Sequence, residues 1–263
     1  MSYCQHASTK IRMGSIIPIA NQKGGVAKTT TTVNLAVALS YYHKKRVLLI
    51  DLDLSCNATA GLGYKAGSVG QVPFGYVLTS FAKKAPIPVS QAALPSEIEH
   101  LTLIPGDREI VSHFPTDYHF LLQDVLESVR GDYDFILIDT PPSRSPIIAH
   151  AYFAADWILV PLPAEPWALE GLADVIEMIY SFSRQRTTLN PDTFYRILLT
   201  KVDARETKSN EHVAQEVAPF RDKLLSTVIR VNADIKHAQE NQKSIFHYNH
   251  ASPGAQDYFK LSE

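Results

Sequence analysis

Short apolar runs alternate with stretches of helical periodicity along this chain, the pattern of a parallel sheet wrapped by helices. Ile16 to Ala20 reads as a buried first strand, followed by a polar, glycine-rich turn. Thr29 to Tyr42 comes next, with Val33, Ala36, Val37 and Tyr41 at helical spacing. Val47 to Ile50 predicts a second buried strand, ending in Asp51-Leu52-Asp53. Residues 54–95 are rich in Gly, Pro and Ser and read as loops with short helical pieces. Leu101 to Ile104 is a strand stopped by Pro105-Gly106, and Asp117 to Arg130 carries Leu121, Leu122, Val125 and Val129 on one helical face. Phe135 to Ile138 is a strand ending at Asp139. Trp157 to Val160 is another, ending in the turn Pro161-Leu162-Pro163. A helix over about 166–183 turns Leu172, Val175, Ile176, Ile179 and Phe182 inward. Ile197 to Leu199 predicts a strand, Glu211 to Ala218 a helix, and Thr227 to Ile229 a last or near-last strand. With no repeat, linker or low-complexity tract, the economical division is one domain over 15–263 after a short extension over 1–14.

Composition adds mainly exclusions. Hydrophobic residues make up 45% of the 263 and charged residues 20%, ordinary for a soluble globular chain. The net charge of −2 supplies no global attraction to nucleic acid, so any such contact needs a local patch. The two cysteines, Cys4 and Cys56, have no metal-binding or disulfide spacing, which fits a reducing, cytoplasmic setting. The first residues, MSYCQHASTKIRMGS, contain no apolar h-region, and no stretch has the length of a membrane span.

The chemistry concentrates in Lys23-Gly24-Gly25-Val26-Ala27-Lys28-Thr29-Thr30, between the first strand and the first helix. Glycines there let backbone N–H groups close around phosphate oxygens, and a helix N-terminus favours negative charge. Lys28 is placed to reach the β- and γ-phosphates and the Thr29 hydroxyl to ligate Mg²⁺. Asp139, at a strand end, fits the role of holding Mg²⁺ through a water, and Asp53 that of orienting the attacking water near the metal. Asp51 is a further candidate, structural or in the Mg²⁺ shell. The expected fold is α/β: a single-domain P-loop NTPase with a mostly parallel sheet and helices on both faces.

The ordinary phosphate-loop pattern has glycine where this chain has Lys23 and Ala27. In this respect the segment resembles the deviant Walker A box, KGGxxKT, of the ParA/MinD superfamily of ATPases, and Asn21 to Thr30 is similar to the ParA/Soj branch. Asp51-Leu52-Asp53 with Asn57-Ala58-Thr59 resembles its switch I, and Ile138 to Ser143 its Walker B and switch II. Ala168-Leu169-Glu170-Gly171, Asp203-Ala204-Arg205 and Thr227-Val228-Ile229 match later landmarks, so the likeness runs from about Ile16 to Leu261. The resemblance implies an ATP sandwich homodimer in which Lys23 reaches the partner subunit's nucleotide. It also implies slow hydrolysis stimulated by a ParB-like or other adaptor, and nonspecific DNA binding in the ATP state, hence nucleoid association. Two departures stand out. Leu54-Ser55-Cys56 replaces Pro-Gln-Gly in switch I, and Arg230-Val231-Asn232-Ala233-Asp234 replaces a Pro-Arg-Asn run with a further basic residue. By position, Arg230 and Asn232 border the adenine.

Candidate DNA contacts are Arg205, Lys208, Arg221, Lys223, Arg230, Lys236 and Lys243, although ten Lys and Arg stand against nine Asp and Glu from Arg196 onward. Binding of this kind uses phosphate contacts alone and falls with salt. The extension before the first strand is too short for a helix-turn-helix domain, and the tail from Gly254 to Glu263 carries one cation, which disfavours an amphipathic membrane helix. The rival readings are a DNA-independent metabolic or assembly ATPase of the same superfamily, and a nucleotide-binding protein that barely hydrolyses.

Overall fold

In the computed structural model, which describes residues 13–67, 71–115, 118–142, 145–165, 168–184 and 190–263 (backbone only at 168 and 207–209), six predicted runs form parallel strands. They are β1 (Ser15–Ile19), β2 (Val47–Asp51), β4 (Leu101–Ile104), β5 (Phe135–Asp139), β6 (Ile158–Pro163) and β7 (Tyr195–Thr200). The two-residue β3 (Leu94–Pro95) runs antiparallel to β4 at the edge, and the order across the sheet is β3-β4-β2-β5-β1-β6-β7. Strands covered on both faces need no polar alternation, which is why these runs are continuously apolar. Leu48, Ile50, Ile136 and Ile138 face one helical layer, while Ile17, Leu49 and Leu137 face the other.

The first layer holds α3 (Phe74–Ala82), α4 (Leu121–Glu127), α5 (Pro146–Ala154) and α6 (Ala168–Ser183). On α6, Leu172, Val175 and Ile179 are fully buried, with Ile176 and Phe182 packed at the margin, as the spacing predicts. α7 (Thr207–Val217) anchors beside β7 through Val213 and Val217. The opposite layer is α1 (Lys28–Tyr41), with α2 (Asn57–Gly61) beside it and α8 (Ala233–Glu240), α9 (Ile245–Asn249) and α10 (Pro253–Ser262) packed outside. Covered from both sides, α1 buries twelve of its fourteen residues, so its sequence lacks a polar stripe. Tyr41, expected on the inner face, is instead exposed at the helix end.

Other expectations need correction. The helix expected over Asp117–Arg130 is shorter, and Asp117 lies outside the described residues, as do Ser143, Pro166 and Trp167. Pro161-Leu162-Pro163 is no turn but the end of β6. The amides of Ile158 and Ala164 point to β7, so the two prolines fall where an amide would face β1, which has already ended at Ile19. Thr227 to Ile229 is not a strand. Ile229 donates to Leu199 and accepts from Val202, but the isolated bridges to β7 and the turn after it are made by the flanking Leu224 and Arg230. Among the described residues no helix is long and apolar enough to cross a membrane.

Candidate active site

The loop after β1 enters α1 at the carboxyl ends of the strands, where open α/β sheets bind ligands. Ala27 offers no side-chain cap, and the first turn of α1 contains no acid. The amide donors of that turn are therefore available to an anion. Gly25 and Ala27 are both left-handed, with φ of 72° and 73°. Ala27 takes up the glycine conformation at a cost of about 1 kcal/mol. A Cβ on Gly24 or Gly25 would meet nothing within 4 Å, so the concave side of the loop is open.

Side chains from neighbouring strand ends hold the loop. Asn21 Nδ2 donates to the Pro161 carbonyl (2.9 Å), and Asn21 Oδ1 accepts from the Lys23 amide (3.0 Å). Thr140 Oγ1 donates to the Ile19 carbonyl (2.8 Å) and Thr200 Oγ1 to the Val26 carbonyl (3.3 Å). Lys28 is buried and its Nζ donates to the Lys23 carbonyl at 2.8 Å. Burial pulls its ammonium below the usual lysine range, while Asp139 and Asp53 oppose that shift. The Val26 side chain is buried, which leaves only its backbone for a ligand.

Asp51 and Asp139 are register neighbours on β2 and β5. Asp139 is completely buried and accepts from Thr29 Oγ1 (2.7 Å) and Thr32 Oγ1 (3.2 Å). Asp51 accepts from the Thr59 amide (2.8 Å) and hydroxyl (2.7 Å) and from the Asp53 amide (3.2 Å). Burial raises the Asp139 carboxyl well above its ordinary range, with the charge of Asp51 adding to the effect. Burial likewise lifts Asp51 to about 6. Two carboxylates placed this way favour a nearby cation. Carboxylate and hydroxyl oxygens are the donor set of a hard divalent ion such as Mg²⁺. Asp53 is partly exposed, and its Oδ1 accepts from the Ser55 amide (2.9 Å) and hydroxyl (2.8 Å). Ser55, one of the switch I departures, thus orients Asp53. Cys56, another, is buried and left-handed at φ 54°, with Gly106 supplying the room its sulfur needs.

A cleft of about 860 Å³ runs from this loop to α8. Gly24, Gly25, Ala27, Lys28, Thr29 and Thr30 line one end, with Asp53 beside them, and Arg230 and Asn232 line the other. Lys23 and Asp139 do not line it. Lys23 Nζ pairs with Glu170 at 3.3 Å, and its stem passes Gly171, where a Cβ would approach it to 3.2 Å. Asn232 Oδ1 caps α8 by accepting from the Asp234 amide.

The seven proposed DNA contacts are scattered, and most are engaged within the chain. Arg205 pairs with Asp203 (2.6 Å), Lys223 with Asp222, Arg230 with Asp257 (2.6 Å) and Lys236 with Glu240 (3.7 Å). Arg230, Lys236 and Lys243 line the cleft rather than a separate face. Arg221 is exposed, and the side chain of Lys208 lies outside the described residues. Sequence reasoning missed Thr32, Asn21, Gln239 and Asp257. Thr32 follows Thr29 by three positions on one helix face and was findable on that spacing. Gln239, whose Nε2 donates to Thr30 Oγ1 (2.6 Å), and Asp257 lie too far along the chain for any local signal.

Compared with known proteins, residues 14–193 match the AAA domain family. The chain is 35% identical over 257 residues to the sporulation initiation inhibitor protein Soj of Bacillus subtilis, covering 95% of this chain and 98% of that protein. The chain belongs to the ParA/Soj branch of the ParA/MinD ATPases. Chromosome partitioning protein ParA of Caulobacter vibrioides is 38% identical over 256 residues, covering 94% of this ParA/Soj chain and 92% of its own. Among solved structures, cobyrinic acid a,c-diamide synthase from Mycobacterium smegmatis with bound ADP and magnesium superposes with a TM-score of 0.76 at 27% identity, covering 95% and 93% of the two chains. The septum site-determining protein MinD from Pyrococcus horikoshii, complexed with Mg-ADP, gives 0.72 at 26% identity and 95% coverage of each. ATP and Mg²⁺ are therefore ligands of the family, and ATPase activity is its chemistry.

Proposed function

We propose that this chain is an ATP-dependent dimerising switch for partition or positioning of a plasmid, chromosome or protein cargo, built from one domain over 15–263. The observation that carries this reading is the Thr29–Asp139 hydrogen bond at the mouth of an uncapped α1, with Lys28 folded over the glycine loop. Lys28 and the loop amides of Gly24 to Thr30 hold the phosphates. Thr29 and Asp139 would hold Mg²⁺, and Asp53 would orient the attacking water beside them. Bound there, Mg²⁺ supplies charge neutralisation at the phosphate oxygens. Arg230 and Asn232 border the base. Lys23 leaves Glu170 on dimerisation and reaches the partner subunit's nucleotide, adding positive charge as an arginine finger does. Hydrolysis is slow and stimulated by a ParB-like or other adaptor, and returns the monomer.

In the ATP dimer, exposed cations would meet nonspecific DNA on a shared face and carry the protein to the nucleoid. The test is binding of nonspecific duplex DNA with ATP, ADP or no nucleotide across a salt series, in parallel with Lys23→Ala and Lys28→Ala. ATP-dependent, salt-sensitive binding lost in both variants is expected. ATP-dependent dimers that ignore DNA at low salt would sink the partition reading. They would favour a DNA-independent metabolic or assembly ATPase, the alternative that the ion pairs of Arg205, Lys223, Arg230 and Lys236 support.

A further inference from the structure

The segment after β7 is held on one side only by backbone. Ile229 N–H donates to Leu199 (2.8 Å) and Val231 N–H to Val202 (3.0 Å), so the Arg230 amide points the other way, as alternate amides of an edge segment must. Asp257, on α10, meets it. One carboxylate oxygen accepts from the Arg230 amide at 2.9 Å, and the pair together accept from Nε (2.9 and 3.0 Å) and from a terminal nitrogen (2.6 Å). A second bond from that terminal nitrogen reaches the Pro253 carbonyl (3.3 Å). Asp257 is itself only 8% exposed, so a single carboxylate closes the sheet edge and draws the guanidinium toward α10.

Independent contacts bind α10 to both ends of the cleft. The buried Tyr258 hydroxyl lies 3.3 Å from Thr31 Oγ1 on α1. A Cβ on Gly254 would come within 2.7 Å of Ile235, so the start of α10 packs directly on α8. Asn249 Nδ2 donates to Asp234 Oδ2 (2.9 Å), fixing the first turn of the same helix. Ile235 and Arg230 both line the cleft.

We infer that Asp257 is a positioning residue for nucleotide binding: through Arg230 it fixes the loop from Ile229 to Asn232 and sets affinity for the nucleoside half of the ligand, while leaving the phosphate half untouched. This rests on the nucleotide reading of the cleft. Calorimetry with Mg-ATP and with Mg-tripolyphosphate separates the two. In Asp257→Asn, ATP affinity is expected to fall about tenfold, with tripolyphosphate affinity unchanged. KM for ATP rises in step while turnover at saturation holds, and Asp257→Glu restores part of the loss. Asp257→Glu, which keeps the buried charge but displaces the guanidinium, gives a smaller loss of the same selectivity and stands in if Asp257→Asn fails to fold. Equal losses for both ligands, or none for ATP, would overturn the positioning role. Failure of the wild-type protein to bind either ligand would instead overturn the nucleotide reading.

Discussion

Asp139 is a residue costly on its own, and it is the carboxylate proposed to hold the metal. Its carboxylate is fully buried beside Asp51, and both carboxyls are raised by burial. A folded-state pKa above the unfolded value means that the folded protein binds more protons. That stabilisation is complete below the unfolded carboxylate range and is lost as pH rises through the folded value, about 6 for Asp51. The nucleotide-free protein is thus expected to lose stability between about pH 4 and pH 6 from Asp51, with Asp139 acting in the same direction. Asp139→Asn should raise its melting free energy at pH 7.5 by about 1 kcal/mol or more while abolishing hydrolysis. Thermal melts of both forms check this, and a destabilised variant would count against it. The position of Asp139 was readable from an apolar strand ending in an acid. The hold of Thr59 on Asp51 depends on three-dimensional register and was not.

The elements divide in the same way. Strands buried on both faces announce themselves as unbroken apolar runs, and six of them were located to within a residue or two at most ends. The C-terminal helices were invisible because each is too short to show a periodic stripe, its few apolar residues packing on the layer built around α1. Asn34 is the joint. Its side chain donates to the Thr30 carbonyl (2.8 Å) and accepts from the buried Ile245 amide (2.8 Å). Asn34→Ala strands that amide, at a cost of about 2 kcal/mol. Hydrogen exchange should then accelerate over residues 233–262 more than in the central strands. Uniform acceleration across the sheet would show that α8 to α10 are not separately hinged.

For the molecule as a whole, Glu170 bears on the proposed dimerisation. It holds Lys23 within its own subunit, along a path cleared by Gly171. An exposed pair of this kind contributes about 0.2–1 kcal/mol. Because two such pairs break per dimer, Glu170→Gln should shift the ATP-dependent monomer–dimer equilibrium toward dimer by up to about thirtyfold, read by sedimentation velocity. A shift toward monomer would mean that Glu170 serves the dimer instead.

The two prolines of β6 carry one more consequence. Lacking amides on the side facing β1, they stop the sheet from zipping shut beyond Ala20, whose amide still reaches Leu159, and the Asn21 side chain then crosses the seam to the Pro161 carbonyl. The opening into which the glycine loop folds is therefore written into covalent structure. An incoming ligand breaks no strand pairing there, so none of its binding free energy is lost to opening the sheet.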